Sequence, residues 1–187
     1  MIFRWFSPAP EQSIIAALYG TIVAQARAPA FYRVYGVPDT VNGRLEMIIL
    51  HVILFLQRLE QDTPELRRLG QAVFDRFCRD MDENMREMGV GDMALPRQMR
   101  RIGEAFYGRR RTYAAAVEAT DGADLAAALE RNVFAGSPCA ESLRLADYVH
   151  AARQVLARQN NFGRGELMFP DPLAVLPRTD ADKRSDQ

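Results

Sequence analysis

The fold is constrained most by a nearly uninterrupted apolar segment that runs from Leu45 to Leu59. Before Gln57, only Glu46 and His51 interrupt it. A helix that is apolar nearly all round has to be surrounded by other elements, so we expect this helix at the centre of a bundle. Glu46 and His51 would then be buried, and buried polar groups require partners.

The remaining sequence shows helical periodicity and no sustained alternation of the kind that predicts strands. It predicts an all-α fold, a single compact bundle of about six helices. We expect these helices at residues 11–27, 41–60, 64–88, 96–120, 123–134 and 137–159. The expected organisation is an N-terminal segment over 1–10, one helical domain over 11–164 and a mostly disordered polar tail over 165–187.

Charge and cysteine content limit the compartment and the partners. The chain has 24 basic and 24 acidic residues, so no overall field draws it to nucleic acid, and we expect no DNA partner. Two cysteines, Cys78 and Cys139, suit a reducing compartment. The longest apolar stretch, 45–56, is shorter than the roughly 20 residues of a membrane span, and no signal peptide is recognisable.

These features predict a cytoplasmic protein. The N-terminal cluster offers an alternative, because its large apolar side chains would either rest peripherally on the inner face of the plasma membrane or pack on the domain. The cluster consists of Ile2, Phe3, Trp5 and Phe6.

Polar residues fall on the apolar stripe of the predicted helix 64–88. Leu66, Leu69, Val73, Phe77, Met81 and Met88 form that stripe at helical spacing. Asp80, Asn84 and Glu87 project into it, and a buried unpaired carboxylate would be costly. We therefore predict Arg109 as the candidate partner of these three residues. Together with Glu46 and His51 they make up the predicted buried polar network.

The sequence contains no recognisable catalytic constellation. The segment from Asp80 lacks the glycine and the final glutamate of a calcium loop, and Gly89 to Ala94 follows a helix rather than the strand of a dinucleotide site. His51 and His150 are the only histidines, and neither has the companions of a metal or haem site. We expect no enzyme activity, no metal and no cofactor. A haem-handling or other cofactor-handling or redox protein that uses His51 with core methionines and acids remains an alternative.

Two further segments suit binding. The loop from Pro29 to Asp39 is rich in aromatic residues, which either staple the loop to the core or form a docking surface. The predicted fourth helix has a basic face of Arg97, Arg100, Arg101 and Arg111 with Glu104 among them. This face is either solvated or receives phosphate, as in an RNA-binding or ribosome-binding regulator of translation.

Four motifs occur in series. They are FY at 31–32 with GVPDT at 36–40 and GR at 43–44, DMDENMREMGVGD at 80–92, FYGR at 106–109, and LERN at 129–132. Together they resemble the ubiquinol-cytochrome c chaperone family over roughly 14–156. The resemblance implies a helical, non-enzymatic factor that assists biogenesis of cytochrome b and assembly of ubiquinol-cytochrome c reductase, respiratory complex III.

The resemblance also suggests partners and contact residues. Cytochrome b or another complex III component is the implied client, and mitochondrial members also associate with the ribosome and a small partner protein. Because its start is unlike a transit peptide, this chain resembles a bacterial member. The motif residues expected to be exposed for partner contact are Phe31, Tyr32, Asp39, Arg44, Asp92 and Arg131, whereas Asp80, Asn84, Glu87 and Arg109 are expected to form internal scaffold.

Overall fold

Six long helices and two short ones make up the described part of the chain. A computed structural model describes residues 10–118, 123–136 and 140–176. The helices are α1 Pro10–Ala26, α2 Pro29–Arg33, α3 Val41–Leu59, α4 Pro64–Glu87, α5 Leu95–Glu118, α6 Ala123–Val133, α7 Glu141–Ala157 and α8 Pro172–Val175, with a 3-10 turn at Phe162–Arg164. Within the described ranges there is no strand. The predicted all-α bundle is confirmed, and its six long helices lie close to their predicted positions.

The central element is α3, as its apolar sequence predicts. It contacts α1, α4, α5, α6 and α7. Twelve of its 19 residues are buried, including both polar residues of the apolar run, Glu46 and His51. Because neighbours cover α3 on nearly every side, the other helices are arranged around it and present their outer faces to solvent.

The first helix packs on α3 and α4. Leu18 and Ile22 are fully buried, and the Tyr19 hydroxyl donates a hydrogen bond of 2.8 Å to Asp80 of α4. By length and composition alone, Glu11–Arg33 is apolar enough to cross a membrane, with a mean hydropathy of 1.3. The prediction that the chain has no such segment overlooked this helix, whose core-facing side accounts for part of its hydropathy.

A tight turn fixes where α3 begins. Thr40 caps the helix, since its Oγ1 accepts a hydrogen bond of 3.0 Å from the Gly43 amide. The chain folds back so closely that a Cβ at Gly43 would overlap the carbonyl oxygen of Pro38. Arg44 then reaches back to Asp39 at 2.6 Å. The second part of the first motif, residues 36–44, therefore forms the N-terminal cap of α3.

We expect Gly43→Ala to lower the free energy of unfolding by about 1–3 kcal/mol, because the new methyl group can be accommodated only if the cap opens. Urea denaturation measures this change. Gly20→Ala is the matched control, since a Cβ at this α1 position meets nothing within 4 Å. Removing a helical glycine there should be neutral or stabilising by about 0.5–1 kcal/mol. Equal stabilities of the two variants would contradict the close contact.

The chain beyond the 3-10 turn packs on the bundle. The Tyr35 hydroxyl donates to the Pro172 carbonyl at 2.7 Å, and Gln25 donates to the Pro170 carbonyl at 2.9 Å. Leu167 is buried and Phe169 packs against the core. Residues 165–176 of the predicted tail thus belong to the packed structure, because their apolar side chains cover α2 and α7. Residues 177–187 and the N-terminal apolar cluster lie outside the described residues.

Candidate functional site

An apolar groove opens where the end of α1 meets the start of α3, the end of α4 and one face of α5. Its volume is about 270 Å³. The lining consists mainly of aliphatic and methionine side chains with three polar groups: Arg27, Val41, Arg44, Leu45, Ile48, Met81, Asn84, Met85, Met88 and Ile102. Large apolar side chains are exposed at this site, since Val41 is 72% and Met88 61% exposed. Exposed apolar surface of this kind marks a binding surface.

Two apolar stripes form the walls. On α3, Val41, Leu45 and Ile48 follow one another at helical spacing. Met81 and Met85 of α4, with Met88 directly after that helix, repeat this spacing. Methionine side chains are flexible and polarisable, so a methionine wall adapts to partners of different shape. The groove can therefore hold apolar side chains of another protein, with little demand on their exact shape.

Polar contacts fix the rim beside Arg44. The Arg44 guanidinium is held by Asp39 at 2.6 Å and lies 5.3 Å from the centre of the Tyr32 ring. Tyr32 in turn donates to the Ala26 carbonyl at 2.8 Å. The hydrogen bond from Arg44 lowers the pKa of Asp39, and burial raises the pKa of Tyr32. Three predicted contact residues are thus brought together at one end of the groove.

The other three predicted contact residues lie elsewhere. Asp92 is exposed just after α4 and pairs with Arg86 at 2.6 Å. Arg131 is exposed on α6 and lines, with Arg111, a shallow depression between α5 and α6. Phe31 is fully buried, with ring centres 4.7 Å from Tyr148 and 5.5 Å from His51.

The structure therefore corrects the predicted exposure of Phe31. Helix α2 turns this ring into the core, where it staples the aromatic loop to the bundle. Of the two alternatives for the loop, stapling applies to Phe31 and Tyr35, whereas the half-buried Tyr32 reaches the groove rim.

The buried ion pair joins α3 to α5. Arg109 donates from Nε and Nη2 to the two carboxylate oxygens of Glu46, both at 2.5 Å. The Glu46 side chain is 4% exposed, and burial raises its pKa against the opposing effect of Arg109. The prediction that Arg109 pairs with the polar residues of α4 is wrong. Phe106, three residues before Arg109 on α5, packs against Phe74 and Phe77 of α4. Arg109 itself points to α3.

The polar residues of α4 have separate surroundings. Asp80 accepts from Tyr19 and lies 3.9 Å from Arg76, and Asn84 donates to the Asp80 carbonyl at 2.5 Å. Both are half-buried, whereas Glu87 is exposed. Glu87, the last residue of α4, therefore does not belong to the predicted buried network. The same exposure removes Met88 from the predicted buried stripe.

His51 is fully buried, and hydrogen bonds engage both of its ring nitrogens. Nδ1 lies 2.8 Å from the Met47 carbonyl and Nε2 lies 2.9 Å from the Tyr148 hydroxyl. Burial lowers the pKa of His51 to about 4, so the ring is neutral at physiological pH. Neither nitrogen is free to ligate a metal or haem, and the described residues contain no group of three or more His, Cys, Asp or Glu that could hold a metal.

The predicted basic face lies on the outer side of α5. Arg97, Arg100, Arg101 and Arg111 are all exposed. Arg100 pairs with Glu104 at 3.1 Å, while Arg97 and Arg101 have no ion pair among the described residues. RNA or ribosome binding by this face stays a prediction.

Sequence reasoning did not identify the groove. It assigned Met81 and Met88 to the core and did not single out Arg27 or Met85. One signal was present, because methionines recur at helical spacing inside the motif 80–92 and thus form one surface. The motifs 31–44 and 80–92 line or flank this groove, so the structure brings together two segments that are about 40 residues apart.

Comparison with known proteins agrees with the motifs. The family model described as "Ubiquinol-cytochrome C chaperone" matches residues 33–164. The chain is 25% identical to the ubiquinol-cytochrome-c reductase complex assembly factor 1 of Xenopus laevis, over 91% of this chain and 86% of the relative. It is 28% identical to the Mus musculus protein of that name, over 91% of this chain but only 58% of the relative.

A solved structure shares both fold and sequence with this chain. The crystal structure of the Cbp3 homolog from Brucella abortus superposes with a TM-score of 0.81 at 36% identity, covering 87% of this chain and 92% of that one. The family model spans residues 33–44 of the first motif, the whole motif 80–92 and the residues of the Glu46–Arg109 pair. On this combined agreement of sequence, fold and motif position, the chain belongs to the ubiquinol-cytochrome c chaperone family, whose members are chaperones rather than enzymes.

Proposed function

We propose that this protein is an assembly chaperone of ubiquinol-cytochrome c reductase, respiratory complex III, and that cytochrome b is its client. The names of the Xenopus and mouse relatives support the first part. The observation that carries the second part is the methionine-lined groove, an open apolar surface bounded by two of the motifs. Such a surface suits an apolar client that has not yet found its final partners.

The groove would protect the apolar side chains of a client by burying them, without any chemical step. Covering apolar surface contributes about 25 cal/mol per Å², so several client side chains placed between α3 and α4 give useful affinity without chemistry. Methionine walls accept different side chains in the same space. Direct packing of α3 on α4 keeps the walls at a fixed separation, and the buried Glu46–Arg109 pair holds α5, which contributes Ile102, against α3. The protein would thus hold a client segment reversibly until assembly removes it.

We place this activity at the inner face of the membrane that receives cytochrome b. The N-terminal apolar cluster and the exposed arginines of α5 are the candidate contacts with the lipid surface, a small partner protein or the ribosome. These contacts are separable from the groove, because the basic arginines Arg97, Arg100 and Arg101 do not line it.

A charge placed in the groove tests the client-binding proposal. We expect Met85→Asp to reduce capture of newly made cytochrome b at least about tenfold, because the carboxylate must lose its water when a client covers the α4 wall, and pairing with a rim arginine would offset only part of that cost. Affinity capture of the tagged full chain from respiring cells measures bound cytochrome b. Haem absorbance of the membranes measures the complex III that is formed, which we expect to fall with it.

Leu143→Asp is the matched control. Leu143 is 54% exposed on α7, and it does not line the groove. This variant should capture cytochrome b as the wild type does, and thermal denaturation should show that both variants are folded. Undiminished capture by a folded Met85→Asp variant, or normal complex III in cells that lack the protein, would contradict the proposal.

A further inference from the structure

We infer that the groove takes an apolar helix that carries a carboxylate, and that Arg27 provides the counter-charge. This inference rests on the proposed function of the groove and adds the chemistry of its ligand. It starts from the distribution of charge. Two of the ten lining residues are arginines and none is a carboxylate, although acidic and basic residues are equal in number over the whole chain.

The two rim arginines differ in their surroundings. Arg44 is already held by Asp39 and by the Tyr32 ring. Arg27 is exposed, directly after α1, and has no ion pair among the residues that the structure describes. Its charge is felt across the rim, since it opposes the rise of the Tyr32 pKa caused by burial. Arg27 is therefore the rim cation that a ligand can neutralise.

The walls indicate the shape of the ligand. Both are helical stripes, and a third apolar contact comes from Ile102 of α5. A volume of about 270 Å³ admits a few side chains of a segment that lies across the opening, not a folded domain. An amphipathic or apolar helix presents such side chains at intervals of three and four residues. A carboxylate of the ligand helix, one turn from the inserted side chains, would then lie at the rim of the groove beside Arg27.

Pairing of a client carboxylate with Arg27 would lower the cost of keeping that carboxylate in an apolar segment. A carboxylate within an otherwise apolar segment is costly in a membrane until it meets its final partner. A chaperone arginine would satisfy the carboxylate temporarily while the groove covers the neighbouring apolar side chains. Charges at the rim also select orientation and partner more than they add affinity. Arg27 would thus set which apolar segments the groove accepts and in which direction they lie.

The test uses synthetic probes and the full chain. Three fluorescent alanine–leucine peptides of about 18 residues, long enough to form helix on binding, differ at one position that is glutamate, glutamine or lysine. Fluorescence anisotropy should show that the glutamate peptide binds about three- to fivefold more tightly than the glutamine peptide, and the lysine peptide most weakly. The differences should shrink in about 1 M salt.

Charge reversal on the protein gives the decisive comparison. Arg27→Glu should reverse the order of the peptides, and Arg27→Lys should keep it. Arg97→Glu, at an exposed arginine away from the groove, should leave the order unchanged.

The outcomes separate this inference from the proposed function. If the wild type binds all three peptides equally, or binds none while it still captures cytochrome b, the carboxylate inference is overturned and the client-binding proposal stands. If capture also fails in the cell, both are overturned. A dimer of the free protein that Met85→Asp dissolves would show that a second copy fills the groove, and this result too would overturn the inference.

Discussion

Replacing Arg109 by methionine is expected to lower the free energy of unfolding by about 3–5 kcal/mol, which is the usual cost of removing one partner from a buried ion pair. Glu46 would remain almost fully buried on α3 without a donor for either carboxylate oxygen. Because burial already raises the pKa of Glu46, the carboxyl should escape part of the cost by taking up a proton. The loss should therefore be smaller at acidic pH. Urea denaturation at pH 5 to 8 measures both effects.

The next residue along the helix supplies the control. Arg110 pairs with Glu60, but their side chains are 36% and 45% exposed. Arg110→Met should therefore cost less than about 1 kcal/mol. A second control replaces both buried partners, as Glu46→Leu with Arg109→Met, and should recover most of the lost stability because no unpaired charge remains. If Arg109→Met cost no more than Arg110→Met, the buried pair would have no special role in holding α3 to α5.

The partners of Glu46 and Arg109 could be predicted from the sequence only in part. The nearly continuous apolar run predicted a central position for α3, and Glu46 within that run was expected to need a partner. The sequence also marked Arg109 as a buried cation, but assigned it to the acids of α4. Helical spacing gives the angular position of a side chain on its own helix. It does not tell which of two neighbouring helices that side chain faces, and α5 contacts both α3 and α4.

The groove was not predicted, because helical spacing also does not tell whether a neighbouring helix covers an apolar stripe. An apolar stripe has the same pattern whether or not another helix covers it. Met88 and Val41 look like core residues in sequence, yet both line the open groove and remain exposed. Phe31 shows the opposite error, because a five-residue helix between turns is too short to reveal its buried side. The resemblance to a family singled out the segments 31–44 and 80–92, and only the fold shows that they meet.

Acidification should destabilise the protein through His51 well before its ordinary carboxyl groups titrate. In the unfolded chain His51 binds a proton below about pH 6.5, whereas burial holds the pKa of the folded state at about 4. Between these values the unfolded state binds more protons, so stability falls as pH falls. From pH 6.5 to 5 the expected loss is about 1.5 kcal/mol, because the limiting slope of about 1.36 kcal/mol per pH unit is reached only when most of the unfolded rings are protonated. Urea denaturation at several pH values in this range measures the slope.

His51→Gln should flatten that slope, because glutamine does not titrate. The absolute stability of this variant will also fall, since the hydrogen bonds to the Met47 carbonyl and the Tyr148 hydroxyl are altered, so the comparison must be of slopes. Glu46 contributes with the opposite sign, because its raised pKa favours the folded state as pH falls, and this contribution is common to the wild type and the variant. The difference between wild type and His51→Gln thus isolates the buried ring, and an undiminished slope in that variant would show that the ring is not kept neutral by its burial.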